Sequence, residues 1–368
     1  MSLGLPVKRQ GPFVNVMIVW TGRGHVHELA RRAFFAGALS FGVSTLARAG
    51  SPAPVLRGAN LVETPNAPFG SEAAAVSLRR LAATGANCVA IIPFLWQSAP
   101  DSPGIVLGNA VPLDRLRLGL AQARAAGLRT IVKPHVWIAG HWAGEVAMRD
   151  PADWRRWFAA YSAHLGELAT LAGGEGADVL MIGTELAQTS HHPAWLDVIV
   201  RARSLFPGTL SYTAHGPDEA GRVPFWAALD AVSVSLYPVL GEGGDRPAWH
   251  HAMAAALQRS QVAAHKVQKP LWIAEFGLRS ARGATLRPWE SAEERVAAPD
   301  GPLQAAVIEA WLEEARRAGV GAELVWRWFT DPAAGGSGDT DFTVQNKPAE
   351  AVLRRCWLRA LFDRPGSP

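Results

Sequence analysis

Short apolar runs alternate with longer amphipathic segments from Val55 onward. The runs at 55–62, 88–96, 129–138, 179–186, 209–215, 231–238, 270–277 and 322–329 are short and almost continuously apolar, as expected of strands buried on both faces. Between most of them lie segments with helical spacing, at 72–84, 113–126, 151–171, 193–205, 248–267, 303–318 and 349–361. Pro151 and Pro193 stand near helix starts, where a missing N–H costs little, and Gly85 and Gly127 follow helices where a left-handed cap belongs. A short further helix is predicted at 222–229. Strand-then-helix units of this kind predict an α/β chain with a parallel sheet wrapped in helices. Eight of them predict a single (β/α)8 TIM barrel. A doubly wound sheet is the runner-up, but no GxGxxG turn follows any of these runs. Two longer connections, at 240–247 and 281–300, are expected at the catalytic face.

Barrel chemistry is built at the C-terminal ends of the strands. Those ends carry Asn60 and Glu63 on strand one, and Phe94 and Trp96 on strand two. Strand three carries Lys133, His135 and Trp137, followed by His141 and Trp142. Strand four ends in Glu185, with Gln188 beyond it. Strand five carries Tyr212 and His215, strand six Tyr237, strand seven Glu275, and strand eight Trp326, Arg327 and Trp328. Two carboxylates at strand ends, inside a rim rich in Trp, Tyr and His, suit the cleavage of glycosidic bonds. That bond needs a proton on the leaving oxygen and a nucleophile or base at the anomeric carbon. Indole faces match the C–H faces of sugar rings, and their N–H groups reach hydroxyls. Lys133 reads equally as a buried ion-pair partner of an acid. Trp326 and Trp328 share strand parity and are expected on one side, with at least one of them facing substrate.

The ordered set resembles the clan A retaining glycoside hydrolases: Glu185 in IGTEL, Glu275 in IAEFG, Ser235-Leu236-Tyr237-Pro238, Trp326-Arg327-Trp328 and Arg57-Gly58-Ala59-Asn60. With Lys133-Pro134-His135-Val136 added, it is most similar to family 113, whose known members include β-1,4-mannanases. The resemblance implies Glu185 as general acid/base, Glu275 as nucleophile, Tyr237 as a hydrogen-bonding partner of Glu275, and an indole of strand eight as the floor of the cleaved subsite. It implies a β-glycan or oligosaccharide as partner, with mannan the first choice and no cofactor or metal. Many clan members have Asn before the acid/base, where its amide reaches the sugar 2-hydroxyl; Thr184 stands here instead. Asn60, His135 and His141 are the alternative donors to that hydroxyl. Retention expects the two carboxyls about 5–5.5 Å apart, with Glu275 ionised and Glu185 held protonated. A non-catalytic carbohydrate-binding barrel has no need of both acids, and a transglycosylase shares every one of these residues.

Composition narrows the rest. The 368 residues are 49% hydrophobic and 18% charged, an ordinary globular balance. The net charge is only +4 and no basic stripe stands out, so nucleic acid is not an expected partner. Cys88 and Cys356 read as two free thiols, with one disulfide as the alternative. Asp331, Asp339 and Asp341 lack EF-hand spacing, and their segment reads as a flexible loop. Near the N-terminus, Arg31-Arg32 precedes Phe34-Phe35, an uncharged run at 33–47 and Ala47-Arg48-Ala49. The run is too short and too rich in Gly and Ser for a stable membrane span, and the whole stretch resembles a twin-arginine export signal. Residues 1–49 are therefore expected to engage the twin-arginine translocation machinery, with a true start near Val26. Residues 50–368 are expected to form the enzyme domain, periplasmic or secreted.

Overall fold

The computed structural model describes residues 54–108 and 111–362, so the twin-arginine stretch lies outside the described residues. Eight strands close a parallel barrel: β1 (Leu56–Val62), β2 (Cys88–Ile91), β5 (Arg129–Val132), β7 (Val179–Thr184), β8 (Thr209–His215), β9 (Val232–Leu236), β10 (Leu271–Phe276) and β11 (Ala322–Phe329). β11 pairs with β1 to shut the ring. Helices α1 (Glu72–Ala83), α2 (Leu113–Ala125), α3 (Pro151–Gly174), α4 (Trp195–Leu205), α5 (Gly216–Arg222), α6 (Arg246–Val267), α7 (Gly301–Ala318) and α8 (Pro348–Phe362) connect and cover the strands. The core is layered accordingly. A small plug of Leu56, Cys88, Ala90, Ile131, Met181, Trp272, Ala274 and Leu324 fills the barrel, and a much larger apolar shell separates strands from helices. Among the described helices none is long and apolar enough to cross a membrane.

The expected second and third strands each break in two. Pro93 and Pro134 offer no N–H to the ladder. Beyond them the chain leaves the ring and pairs again as β3 (Phe94–Gln97) and β6 (His135–Trp137), with β4 (Ile105–Leu107) alongside, in a three-stranded side sheet ordered β4-β3-β6. The expected 222–229 helix is reduced to a single 3₁₀ turn at Trp226–Ala228, while α5 forms ahead of it, where Pro217 suits a first turn and Pro224 follows the extended Val223. Gly85 and Gly127 take φ of 90° and 78° after α1 and α2, as the sequence predicts. Asp245 and Asp300 cap α6 and α7 by accepting from Ala248 N and Leu303 N, which starts both helices two residues ahead of expectation. Cys88 and Cys356 are both free thiols. The aspartate-rich segment is pinned rather than flexible: Lys347 bonds Asp339 at 2.6 Å, Arg327 bonds Asp341, and Arg279 Nε donates to Thr340 O at 3.1 Å.

Candidate active site

Register shifts in the barrel ladder, including one of β10 on β11 between Ile273 and Phe276, aim the site. The register of β7 on β8 shifts between Met181 and Thr184, that of β10 on β9 between Ile273 and Glu275, and that of β1 on β11 at Asn60. Such bulges turn a strand and redirect its next side chain. Those of β7 on β8 and of β10 on β9 immediately precede the two acids. Glu185 also adopts φ 54°, a left-handed conformation that is unusual without a glycine and typical of strained functional positions. Its surroundings hold it there. Glu185 N donates to Thr213 O at 2.8 Å, and Leu186 N donates to the Tyr212 hydroxyl at 3.0 Å. Tyr212 in turn donates to Glu219 Oε1 at 2.6 Å.

Glu275 is buried and held at both oxygens. Lys133 Nζ donates to Oε2 at 2.7 Å and the Tyr237 hydroxyl to Oε1 at 2.9 Å. Lys133 is itself fully buried, and its ammonium also reaches Asn60 Oδ1 at 2.9 Å and Ala274 O at 3.2 Å. Burial pushes the Glu275 carboxyl above its ordinary range; Lys133 and Tyr237 oppose this, and the charge of Glu185 adds to it. His135 Nε2 stands 4.0 Å from Glu275 Oε2 and has no hydrogen-bond partner among the described residues. The His135 ring stacks on Trp326, centroids 5.5 Å apart and planes within 11°.

Glu185 has the opposite setting. Its Oε1 accepts from the Ser235 hydroxyl and from His215 Nδ1 at 3.0 Å, and its Oε2 accepts from Trp142 Nε1 at 2.9 Å. Burial alone would raise it. The hydrogen bond and charge of His215, then Ser235 and Trp142, outweigh burial and bring the carboxyl down to about 2. His215 is raised in return: burial opposes its charge, but Glu185 at 3.0 Å, and beyond it Glu219 and Glu275, favour it. This runs against the expectation of a raised Glu185: three donors from separate elements, His215, Ser235 and Trp142, converge on that one carboxylate and favour its anionic form.

Several expected contacts face elsewhere. Tyr212 is buried between barrel and helices among Trp195, Phe225 and Trp226, and acts on the turn after β7 from behind. Asn60 lies inside the barrel, its amide donating to Ala274 O and Val325 O, and it touches Lys133 rather than open space. Trp328 points outward and donates to Ser77 Oγ at 2.8 Å, because the bulge inserts Arg327 and breaks the parity it would share with Trp326. Lys133 has no exposed surface, so it serves Glu275 from below. His141 pairs with Glu145 in solvent, and the exposed Gln188 donates its backbone N–H to Gly144 O. Trp96 and Trp137 stand on the side sheet. Ser235 is the site residue that the strand-end reading passed over. It sits two residues before Tyr237 on β9, in the parity that faces the acids, so a period of two was enough to reveal it. Thr184 is buried, and its hydroxyl has no hydrogen-bond partner among the described residues.

The chain matches the model of Glycoside Hydrolase Family 113 over residues 61–347. Among solved structures it is similar to the GH113 β-mannanase AaManA from Alicyclobacillus acidocaldarius, at 25% identity and TM-score 0.73, with 83% of this chain and 98% of that one covered. A GH113 β-1,4-mannanase aligns at 24% identity and TM-score 0.73, covering 83% and 99%. A family 5 mannosidase from Rhizomucor miehei shares the fold at 12% identity and TM-score 0.62, covering 84% and 94%. No curated protein matches the chain significantly.

Proposed function

Since the chain belongs to glycoside hydrolase family 113, we propose that this O-glycosyl hydrolase cleaves a β-glycosidic bond with retention, Glu275 attacking and Glu185 handling the proton, and that its substrate is a β-1,4-mannan or manno-oligosaccharide. The observation that carries the reading is a pair of carboxylates at one end of the barrel, each held at both oxygens by its own set of hydrogen-bond donors. Glu275 sits on a buried ammonium and a phenol, which fix its orientation and favour the anion. Glu185 lies 3.0 Å from His215 Nδ1, a geometry in which the two side chains can share one proton. In the first step a Glu275 oxygen bonds to the anomeric carbon, the bond to the leaving oxygen breaks, and that oxygen takes the proton of the Glu185–His215 pair through Glu185. In the second, Glu185 takes a proton from water, whose oxygen displaces Glu275 from the sugar. Trp326, stacked on His135 beside the nucleophile, supplies the floor for the reacting ring. Hydrolysis assays of the purified protein on mannan, glucan, xylan and aryl β-glycosides test the substrate; release of reducing sugar from none of them would refute the reading.

The proton pair makes His215 measurable. Loss of its proton should set the alkaline limb of kcat/KM, above the ordinary histidine range because Glu185 raises it. In His215→Ala the proton must reside on Glu185 alone, so the alkaline limb should move to lower pH. Turnover of substrates with poor leaving groups should fall by roughly 10²-fold, the scale of one general acid. An unchanged limb would exclude the pair. Thr184 takes the place of the clan's Asn, and its orphan hydroxyl suits a sugar hydroxyl. Thr184→Val is expected to change stability by no more than about 1 kcal/mol, since the hydroxyl bonds nothing among the described residues, while raising KM. An unchanged KM would remove Thr184 from substrate recognition. Export through the twin-arginine pathway remains part of the proposal; cell fractionation of the wild type beside Arg31→Lys/Arg32→Lys tests it.

A further inference from the structure

We infer that the side sheet carries a distal sugar-binding subsite, in which Trp96 and Trp137 hold glycan units beyond the reacting ring on the glycone side; this rests on the proposed glycan substrate. The outward face of β3 and β6 is built in two rows. Phe94 is paired with His135 and Trp96 with Trp137. The alternate residues Leu95, Gln97 and Val136 are buried beneath. The first row touches the catalytic centre, because His135 stands 4.0 Å from Glu275 Oε2 and stacks on Trp326. Rings continue outward from there: His135 to Phe94 at 6.2 Å, Phe94 to Trp137 at 5.9 Å, Trp137 to Trp96 at 6.1 Å. The rows are about 7 Å apart, two residues along a strand.

Trp96 is 40% exposed and Trp137 49%, and Val106 of β4 extends the same row beside Trp96. The platform is pre-organised. A Cβ on Gly108 would lie 1.9 Å from Trp96 Nε1, so only a glycine lets the indole lie against that backbone. Gly108 N is fixed on Phe94 O at 3.1 Å. Holding the indole before binding removes part of the ordering cost. Continuity with the nucleophile selects the occupant. The ring line leaves from His135 and Trp326 beside Glu275, whereas Glu185, which protonates the leaving group, is served by Trp142 and His215. Neither row holds a carboxylate, ammonium or guanidinium, and bare indole faces with N–H edges suit uncharged pyranose rings. A site that grips several units beyond the scissile bond favours a polymer or long oligosaccharide over a single-sugar glycoside.

Calorimetric titration of the inactive Glu275→Gln variant separates this from catalysis. β-1,4-Mannotetraose and mannobiose, then the corresponding β-1,4-glucose oligomers, are titrated with and without Trp96→Ala/Trp137→Ala. The tetrasaccharide of at least one series is expected to bind at least about tenfold tighter than its disaccharide, and the double variant to erase most of that ratio. Trp96→Phe and Trp137→Phe should keep part of it. No length dependence in either series, or a ratio that survives the double variant, overturns the subsite. A double variant that turns a dimer into a monomer while keeping the ratio would give the face to a second copy and overturn it equally. Hydrolysis by the wild type stands or falls separately.

Discussion

Glu275→Gln is expected to abolish turnover, with kcat down by roughly four orders of magnitude or more, in a barrel that still folds cooperatively. Glutamine keeps the shape and still meets Tyr237, and the Lys133 ammonium retains Asn60 Oδ1 and Ala274 O. What it cannot do is form the bond to the anomeric carbon. The comparison with Glu185→Gln gives the test its resolution. An activated aryl leaving group needs no proton, so Glu185→Gln should retain the first step on aryl glycosides while Glu275→Gln loses it on every substrate. Burst kinetics on aryl β-glycosides, beside thermal melts, check both. Full turnover by Glu275→Gln would remove it as nucleophile.

The second large effect belongs to Lys133→Met. The buried carboxyl of Glu275 already sits above its ordinary range, and Lys133 is the main group opposing that. Without the ammonium the carboxyl rises further. The nucleophile must be ionised, so the acid limb of kcat/KM should move to higher pH, with activity lost first on the acid side and recovered as pH increases. At neutral pH a loss of roughly 10²-fold is expected, the scale of one pre-organised charge. Breaking a buried pair from one side costs about 3–5 kcal/mol, so the melting temperature should also drop. A pH–rate profile and a denaturant curve measure the two effects. A destabilised variant with an unmoved acid limb would assign Lys133 to the core alone.

Much of this was legible in the sequence, for identifiable reasons. Barrel strands buried on both faces leave continuous apolar runs, and an acid at the end of such a run, as in Met181–Glu185, is conspicuous. The split of strands two and three was also written there, since Pro93 and Pro134 interrupt the runs. Parity accounts for the other differences. Tyr212 and His215 are three apart on β8 and so face opposite sides, which places Tyr212 among the helices. Trp328 could not be placed that way, because the bulge at Arg327 is a property of two paired strands and leaves no mark in one of them. The downward pull on the Glu185 carboxyl was equally out of reach. It depends on β8, β9 and the segment after β6 bringing His215, Ser235 and Trp142 to a single carboxylate.

The central claim is that Glu275 and Glu185 act in two displacements at one carbon. Proton NMR of the first minutes of hydrolysis of β-1,4-mannotetraose, or of whichever β-glycan proves to be the substrate, reads it directly. The new reducing end should appear first as the β-anomer and only later equilibrate with α. Appearance of the α-anomer first would mean a single inverting displacement and would contradict the account.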